Sequence, residues 1–305
     1  MKVLRQWLVS TLAQNKCIIF SFILLIIPAS AHSFDNNNLK VQISSKNIFQ
    51  GDVALLRVST SENIRSVRCT WGNQTIDFYH EKNEDAFIGF LGIDLGEPPG
   101  QKTLQIVTHN SKDLKSTRKI AFKVIKKDFL TQYLTLPESQ VTLSKKDLER
   151  HEREKAIRKK VFENAPREKI WDRSFMRPHQ GKISTPFGVH RILNNKQRNP
   201  HSGVDFKAPH GAPVVSSSNG IVAYTGDHFF SGNSVFIDHG MGIFTMYFRL
   251  SSILVKSGYK VHKGQTIGHV GSTGRATGPH LHWGMRINNQ KVDPFSFLKL
   301  FVDKD

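Results

Sequence analysis

Cysteine is almost absent from this chain of 305 residues, in which only Cys17 and Cys69 occur. A framework of several disulfides, on which many small secreted domains rely, is therefore excluded, and hydrophobic cores must stabilise the fold. Long apolar runs are also scarce. The run over residues 17–27 has eleven positions, whereas a helix that spans a membrane needs about 20. The length leaves room for two domains.

The amino-terminal segment combines a basic start, this short apolar run and a site of small residues: Lys2, Arg5 and Lys16, then residues 17–27, then Ala29-Ser30-Ala31. This order is typical of a secretory signal peptide. We expect residues 1–31 to be removed after Ala31 and the protein to be periplasmic or extracellular. An uncleaved membrane anchor is the alternative. Cleavage would leave Cys69 as the single cysteine.

Acidic residues are few: 25 stand against 43 basic ones, which gives a net charge of +18. The signal segment contains three basic residues and no acidic one, so the mature chain carries +15. Such a charge predicts a polyanionic partner. Export and the lack of an aromatic-rich RNA motif argue against nucleic acid. We therefore expect peptidoglycan or the anionic cell envelope, with transient contact to a membrane surface. Solubility alone is the alternative explanation.

The domain pattern is all-β, interrupted by one helical linker. Short alternating strands separated by turn signals over residues 39–129 predict a β-sandwich of immunoglobulin-like shape. In the linker, residues 137–178, Ser144 opens a helix with Asp147 as its capping partner. The helix is polar nearly all round, which favours a solvated bridging segment. We expect Trp171 and Phe175 to pack the linker onto the domain that follows.

Two short motifs carry the chemistry: His201-Ser202-Gly203-Val204-Asp205 and His280-Leu281-His282. Residues four apart can converge if the chain turns between them, and alternate residues of a strand share a face. Zinc favours imidazole and carboxylate ligands, and a catalytic zinc site keeps one position open. Four such groups predict three ligands and one spare imidazole, the arrangement that metal-assisted hydrolysis requires. Neither motif is specific alone.

The surrounding residues extend these motifs into a long series, namely Pro200 to Phe206, Ala208-Pro209-His210-Gly211-Ala212-Pro213-Val214, Gly220-Ile221-Val222, Gly232-Asn233-Ser234-Val235, Asp238-His239-Gly240, Thr245-Met246-Tyr247, Gly264-Gln265-Thr266-Ile267-Gly268 and Gly271 to Trp283. In order and spacing, residues 181–294 resemble the lysostaphin/LytM-type zinc metalloendopeptidases, which cut peptidoglycan peptides. The predicted sandwich resembles the domain that precedes the peptidase in some members.

The resemblance implies an antiparallel β peptidase domain, residues 181–300, with a groove over one sheet. It implies that His201, Asp205 and His282 bind zinc and that His280 is a catalytic histidine. The expected activity is hydrolysis of a peptide bond in the peptidoglycan stem or cross-bridge.

One position departs from the family pattern. Members usually have Tyr-x-His-Leu, whereas this chain has Tyr247-Phe248-Arg249-Leu250. Strand alternation predicts that Tyr247 and Arg249 share a face. Arg249, together with Tyr247, is therefore expected to donate to the oxyanion. The alternative is a weak or inactive peptidoglycan-binding regulator of other wall hydrolases; a wall adhesin is supported by charge alone.

The remaining histidines of this half are expected to be surface residues: His190, His210, His228, His239, His262 and His269. The loop over residues 192–199 is long enough to cover the groove.

Overall fold

The computed structural model describes residues 39–59, 64–72, 74–135, 142, 144–163, 167–172, 174–197 and 199–301. The predicted signal segment and parts of the predicted linker lie outside these residues. The described chain is all-β, as predicted, with 22 strands and two helices. No helix among the described residues has the length and apolar character needed to cross a membrane.

The amino-terminal half is a sandwich of two sheets. Its strands are β1 Lys40–Ile43, β2 Asn47–Phe49, β3 Val53–Ser59, β4 Ile64–Trp71, β5 Gln74–Ile76, β6 Tyr79–Glu81, β7 Ala86–Gly92, β8 Gly100–Asn110 and β9 Lys115–Ile125. The first sheet has the order β1-β3-β7-β6 and the second β2-β9-β8-β4-β5.

Apolar side chains from both sheets form the sandwich core. Leu56 and Leu91 of the first sheet are fully buried, as are Ile106 and, nearly, Phe122 of the second. Cys69 lies in the same core with a free thiol. Burial raises the pKa of this thiol to about 12, so it behaves as a small apolar side chain.

The carboxy-terminal half contains thirteen strands and two helices. These are β10 Thr131–Leu134, α1 Lys145–Glu163, β11 Ile183–Thr185, β12 His190–Leu193, β13 Lys196–Gln197, β14 Gly203–Lys207, β15 Pro213–Val215, β16 Gly220–His228, β17 Gly232–Asp238, β18 Ile243–Ile253, β19 Lys260–Val261, β20 Thr266–Val270, β21 His280–Ile287, β22 Gln290–Val292 and α2 Pro294–Lys299. The main sheet follows β11-β14-β21-β18-β17-β16-β19, and β10, β12 and β13 form a separate sheet in which β10 and β12 are parallel.

Helix α1 begins where the sequence predicts it. The Ser144 hydroxyl accepts a hydrogen bond from the Asp147 N–H at 3.2 Å. Most of α1 is exposed, in line with the predicted solvated segment, but the helix also contacts the peptidase sheet. Glu154 is 6% exposed and accepts the N–H of Phe229 at 2.9 Å. This hydrogen bond ties the polar helix to the residue that follows β16.

The two halves share a hydrophobic core. Trp171 and Phe175 are buried against the peptidase half, which confirms the prediction made for them. Trp171 also lies 6.1 Å from Phe90 of β7, measured between ring centroids. Phe175 lies 5.0 Å from Phe297 of α2. The linker aromatics therefore join the outer face of the sandwich to the peptidase domain.

Candidate metal centre and groove

The three predicted metal ligands meet at one point. Asp205 lies on β14 directly opposite His282 on β21, and His201 lies just before β14. Asp205 Oδ1 is 2.9 Å from His201 Nε2 and 2.8 Å from His282 Nδ1. The two imidazole nitrogens are 2.9 Å apart. All three side chains are buried.

The chemistry of these atoms fits a cation. His201 Nδ1 lies 2.9 Å from the Pro186 carbonyl oxygen, which can only accept, so Nδ1 carries the hydrogen. A neutral His201 then presents a lone pair at Nε2, beside the carboxylate oxygen of Asp205. Electron pairs that converge in a buried site require a positive charge between them. Two imidazole nitrogens and one carboxylate oxygen form the ligand set of a catalytic zinc site with an open position.

Burial and hydrogen bonding set the protonation states of the ligands. Burial opposes ionisation of Asp205, but the adjacent imidazoles of His201 and His282 hold the pKa of its carboxyl far below the usual range. Burial lowers the pKa of His282 to about 4. At neutral pH the site therefore offers a carboxylate and a neutral imidazole, the forms that bind a metal.

Gly203 makes the close approach of the ligands possible. A Cβ at this position would lie 2.6 Å from His282 Nε2 and 2.5 Å from the Trp283 carbonyl oxygen. No side chain fits there, because β14 and β21 pair directly at the site. The glycine between His201 and Asp205 was a signal of this contact that the sequence analysis did not use. The Phe248 ring stacks on His282, with ring centroids 5.2 Å apart.

His280 lies in the groove beside the ligands. Its Nδ1 donates to the Gly278 carbonyl oxygen at 2.8 Å, so Nε2 carries the lone pair of the neutral ring. Burial lowers the pKa of this imidazole from its ordinary value, and the nearby Asp205 partly opposes that shift. His280 thus combines a basic nitrogen with a position two residues from His282, a predicted metal ligand.

Arg249 lines the groove because β18 contains a bulge, which breaks the simple alternation of side chains along the strand. Residues 233 and 235 of β17 pair with residues 250 and 247 of β18, so β18 has one extra residue there. Arg249 has a φ of +69°, and a bulge of this kind re-aims a side chain. Arg249 Nη1 donates to the carbonyl oxygens of Phe230 and Thr273 at 3.2 and 3.3 Å. Burial lowers its pKa to about 10, so the guanidinium stays charged at neutral pH.

Tyr247 does not share the groove with Arg249, and the predicted common face is wrong. Tyr247 is fully buried in the core. Its hydroxyl accepts the N–H of Ser217 at 2.8 Å and lies 2.8 Å from the hydroxyl of Thr245. The bulge separates the two side chains, because it returns Arg249 to the face that carries Phe248. An oxyanion role for Tyr247 therefore has no geometric support.

Two of the remaining histidines are not surface residues. His239 and His228 are buried, which corrects the expectation for both. The His239 ring lies between the Asn219 carbonyl oxygen and the Thr245 hydroxyl, each 2.7 Å away. A turn position suggested exposure, but Gly240 lets the chain fold back under the linker. His210 and His262 are exposed, as expected.

The groove beside the metal ligands has a volume of about 480 Å³. Its wall includes residues of β10 and β12, and Leu193 and Asn199 come from the loop that was predicted to cover it. Four basic side chains and one carboxylate line the groove. The lining residues are Gln132, Leu134, Ser184, Thr185, Arg191, Leu193, Asn199, Asp205, Lys207, Arg249, Arg275, Ala276, Thr277, Gly278, Pro279 and His280.

Comparison with known proteins identifies similar chains. Residues 199–294 match the model described as Peptidase family M23. The DD-carboxypeptidase/endopeptidase Mpg of Neisseria meningitidis is 45% identical over 117 residues, which cover 38% of this chain and 26% of that protein. The peptidoglycan DD-endopeptidase ShyA of Vibrio cholerae is 45% identical over 113 residues, which cover 37% of this chain and 26% of that protein. The chain thus spans about a quarter of the length of these relatives.

A solved structure matches over more of the chain. A peptidase M23 from Pseudomonas aeruginosa has a TM-score of 0.64 and 32% sequence identity. The match covers 82% of this chain and 94% of that one. It therefore includes regions outside the residues that match the family model.

Proposed function

This chain belongs to peptidase family M23, and from that membership we propose that it is an exported zinc metalloendopeptidase that cuts peptidoglycan. The observation that carries the proposal is the convergence of His201, Asp205 and His282 at the edge of a groove that also holds the free Nε2 of His280. Three ligands with an adjacent base match metal-assisted hydrolysis.

The residues have separate roles in the proposed reaction. Bound at His201, Asp205 and His282, zinc would act as a Lewis acid and lower the pKa of a water molecule. His280 Nε2 takes a proton from the attacking water and later returns it to the leaving amine. The guanidinium of Arg249 donates to the oxygen that becomes negative in the transition state. The family usually has a histidine at this position, which is neutral or protonated depending on the pH. Arg249 is a permanent cation instead.

The groove fits an anionic peptide. Lys207, Arg191, Arg249 and Arg275 surround a single carboxylate, that of Asp205. Peptidoglycan peptides carry free carboxylates, which such a lining attracts. The relatives named DD-endopeptidases support a bond between two D-residues as the target. The wall lies outside the cytoplasmic membrane, so this substrate requires export, in agreement with the signal segment read from the sequence.

One residue supports a second candidate function. Arg249 stands where the family usually has a histidine, and it cannot act as a base at neutral pH. This substitution favours an inactive binding protein that regulates other hydrolases. The retained ligand triad and His280 argue for the enzyme, because a binding module has no need of converging metal ligands.

Purified mature protein and purified peptidoglycan test the proposal directly. We expect new soluble peptide fragments, identified by mass spectrometry, and one zinc ion per chain. A chelator should abolish the fragments and added zinc should restore them. Asp205→Ala serves as the matched control. A zinc-loaded wild type that releases nothing from walls of several chemotypes would favour the binding protein.

A further inference from the structure

Asp205 has a third partner besides the two imidazoles. Arg191 Nη2 donates to Asp205 Oδ2 at 3.0 Å, whereas Oδ1 faces the two imidazoles. The Asp205 side chain is 6% exposed and the Arg191 side chain 28%. The two oxygens of one carboxylate are therefore divided between a guanidinium on one side and the metal ligands on the other.

The strand that carries Arg191 is held from outside the peptidase sheet. Arg191 lies in β12, which is flanked by β13 and by the parallel strand β10. Gln132 of β10 is the direct neighbour of Arg191 in register. The backbone N–H of His190 also donates to the Leu130 carbonyl oxygen at 2.8 Å. Arg191 is thus fixed by a segment that directly follows the sandwich.

We propose that Arg191 is a positioning residue for the metal ligand Asp205. By binding Oδ2, Arg191 leaves the metal a single carboxylate oxygen and prevents Asp205 from taking a second coordination position. The position that the substrate and water need then stays open. Groups that orient metal ligands in this way commonly change metal affinity or activity by about 10–100-fold. The inference rests on the metal of the proposed function.

Arginine suits this role better than lysine. Its planar guanidinium holds a carboxylate oxygen in a fixed direction, whereas the lysine ammonium is a rotating point charge on a flexible stem. Arg191→Lys should therefore keep the charge and return only part of the effect. Among the basic side chains of the groove, Arg191 contacts Asp205 Oδ2 directly, at 3.0 Å.

Cobalt substitution tests the proposal without reference to hydrolysis. The visible absorption of protein-bound Co²⁺ depends on its coordination number. We expect Arg191→Ala to shift and weaken the absorption bands relative to wild type, and Arg191→Lys to lie between the two. Arg153→Ala, an exposed arginine on α1, is the matched control and should give the wild-type spectrum. Thermal unfolding of each metal-loaded variant checks that it is folded.

Kinetics provide the second readout. On peptidoglycan, kcat of Arg191→Ala should fall by about 10–100-fold, whereas KM should rise far less, because three of the four basic side chains of the groove remain. Superimposable cobalt spectra of wild type and both Arg191 variants would overturn the proposal. If the cobalt spectra of wild type and Arg191→Ala differ as expected but wild type cuts no peptidoglycan, the proposed function is refuted and this inference stands. A wild type that takes up no cobalt would refute both.

Discussion

Two buried polar clusters lie on opposite faces of the peptidase sheet, with β18 between them. On one face, His201, Asp205 and His282 direct electron pairs at a common point. On the other, His239 and Tyr247 belong to a chain of hydrogen bonds in which each acceptor has a donor. The first cluster is incomplete without a cation, whereas the second is complete within the protein.

The difference shows how one strand can serve both stability and chemistry. Buried polar groups stabilise a core when they are mutually satisfied, and they cost free energy when they are not. In the proposed function, the ligand cluster recovers that cost when zinc binds. The sandwich, in contrast, buries no such group among the described residues. Its buried polar side chains there are Thr108, Asn110 and Ser116, and none of them is ionisable.

The largest expected effect breaks the ligand cluster. His201→Ala should lose zinc and reduce hydrolysis to background. Wild type should gain about 4 kcal/mol of stability at a thousandfold zinc excess over Kd, and the variant should gain none. Metal analysis and calorimetry with and without chelator measure this. Full zinc occupancy in a variant that lacks both His201 and His282 would contradict the assignment.

The next effect removes the base but keeps the cluster. His280→Ala should retain one zinc per chain and lose about 10²–10⁴-fold in kcat. Zinc content and turnover are measured on the same preparation. If His280→Ala loses zinc and His282→Ala keeps it, the two histidines have exchanged roles.

Arg249 lies in the groove, on the same face as the ligand cluster. Arg249→Ala should keep zinc and lower kcat by about 10²–10³-fold, like the loss of one oxyanion donor. Arg249→His should keep or raise activity, because it restores the usual family residue, and histidine tolerates positive φ better than most side chains. Equal activity of wild type and Arg249→Ala on peptidoglycan would remove Arg249 from the reaction.

The pH profile sharpens the same distinction. His280 works as a base only when unprotonated, and its lowered pKa keeps that form below the ordinary value of about 6.5. Arg249 donates only when protonated, which holds up to its pKa of about 10. We expect kcat to hold across this window and to fall about tenfold per unit beyond it. In Arg249→His the alkaline fall of kcat should begin several pH units lower than in wild type.

The smallest effect on activity is expected in the completed cluster. Tyr247→Phe leaves the buried N–H of Ser217 without its acceptor, so the free energy of unfolding should fall by about 1–3 kcal/mol. Zinc content and kcat should stay near wild type, and Thr245→Val should behave alike. A hundredfold loss of kcat with zinc still bound would return Tyr247 to the catalytic set.

The ligand set was predictable because its signal is local. His280 and His282 share a strand face by alternation, and His201 and Asp205 meet because the chain turns before β14. The resemblance to the family implied which three of the four bind the metal, and the structure brings all four together. The pairing of Tyr247 with Arg249 was not predictable by alternation, because a single inserted residue inverts the faces after it. The residue pattern of β18 does not predict the extra residue at this bulge.

Other features depend on contacts between distant segments. The docking of α1 rests on Glu154 and a strand end 75 residues away, and the polar pattern of a helix does not record such a contact. The parallel pairing of β10 with β12 likewise joins residues about sixty positions apart. The burial of His239 depends on the linker packing over a turn. Sequence periodicity predicts which residues share a face of one helix or strand. It does not predict which distant segment packs against that face.

The shared aromatic core has a consequence for how the protein melts. Because Trp171 contacts Phe90 of the sandwich and Phe175 of the linker, neither half can expose its side of the interface without solvating the other. Heat should therefore unfold both halves in one calorimetric transition rather than two. Trp71 of the sandwich, Trp171 of the linker and Trp283 of the peptidase half are all buried, so tryptophan emission should shift to the red in that single transition.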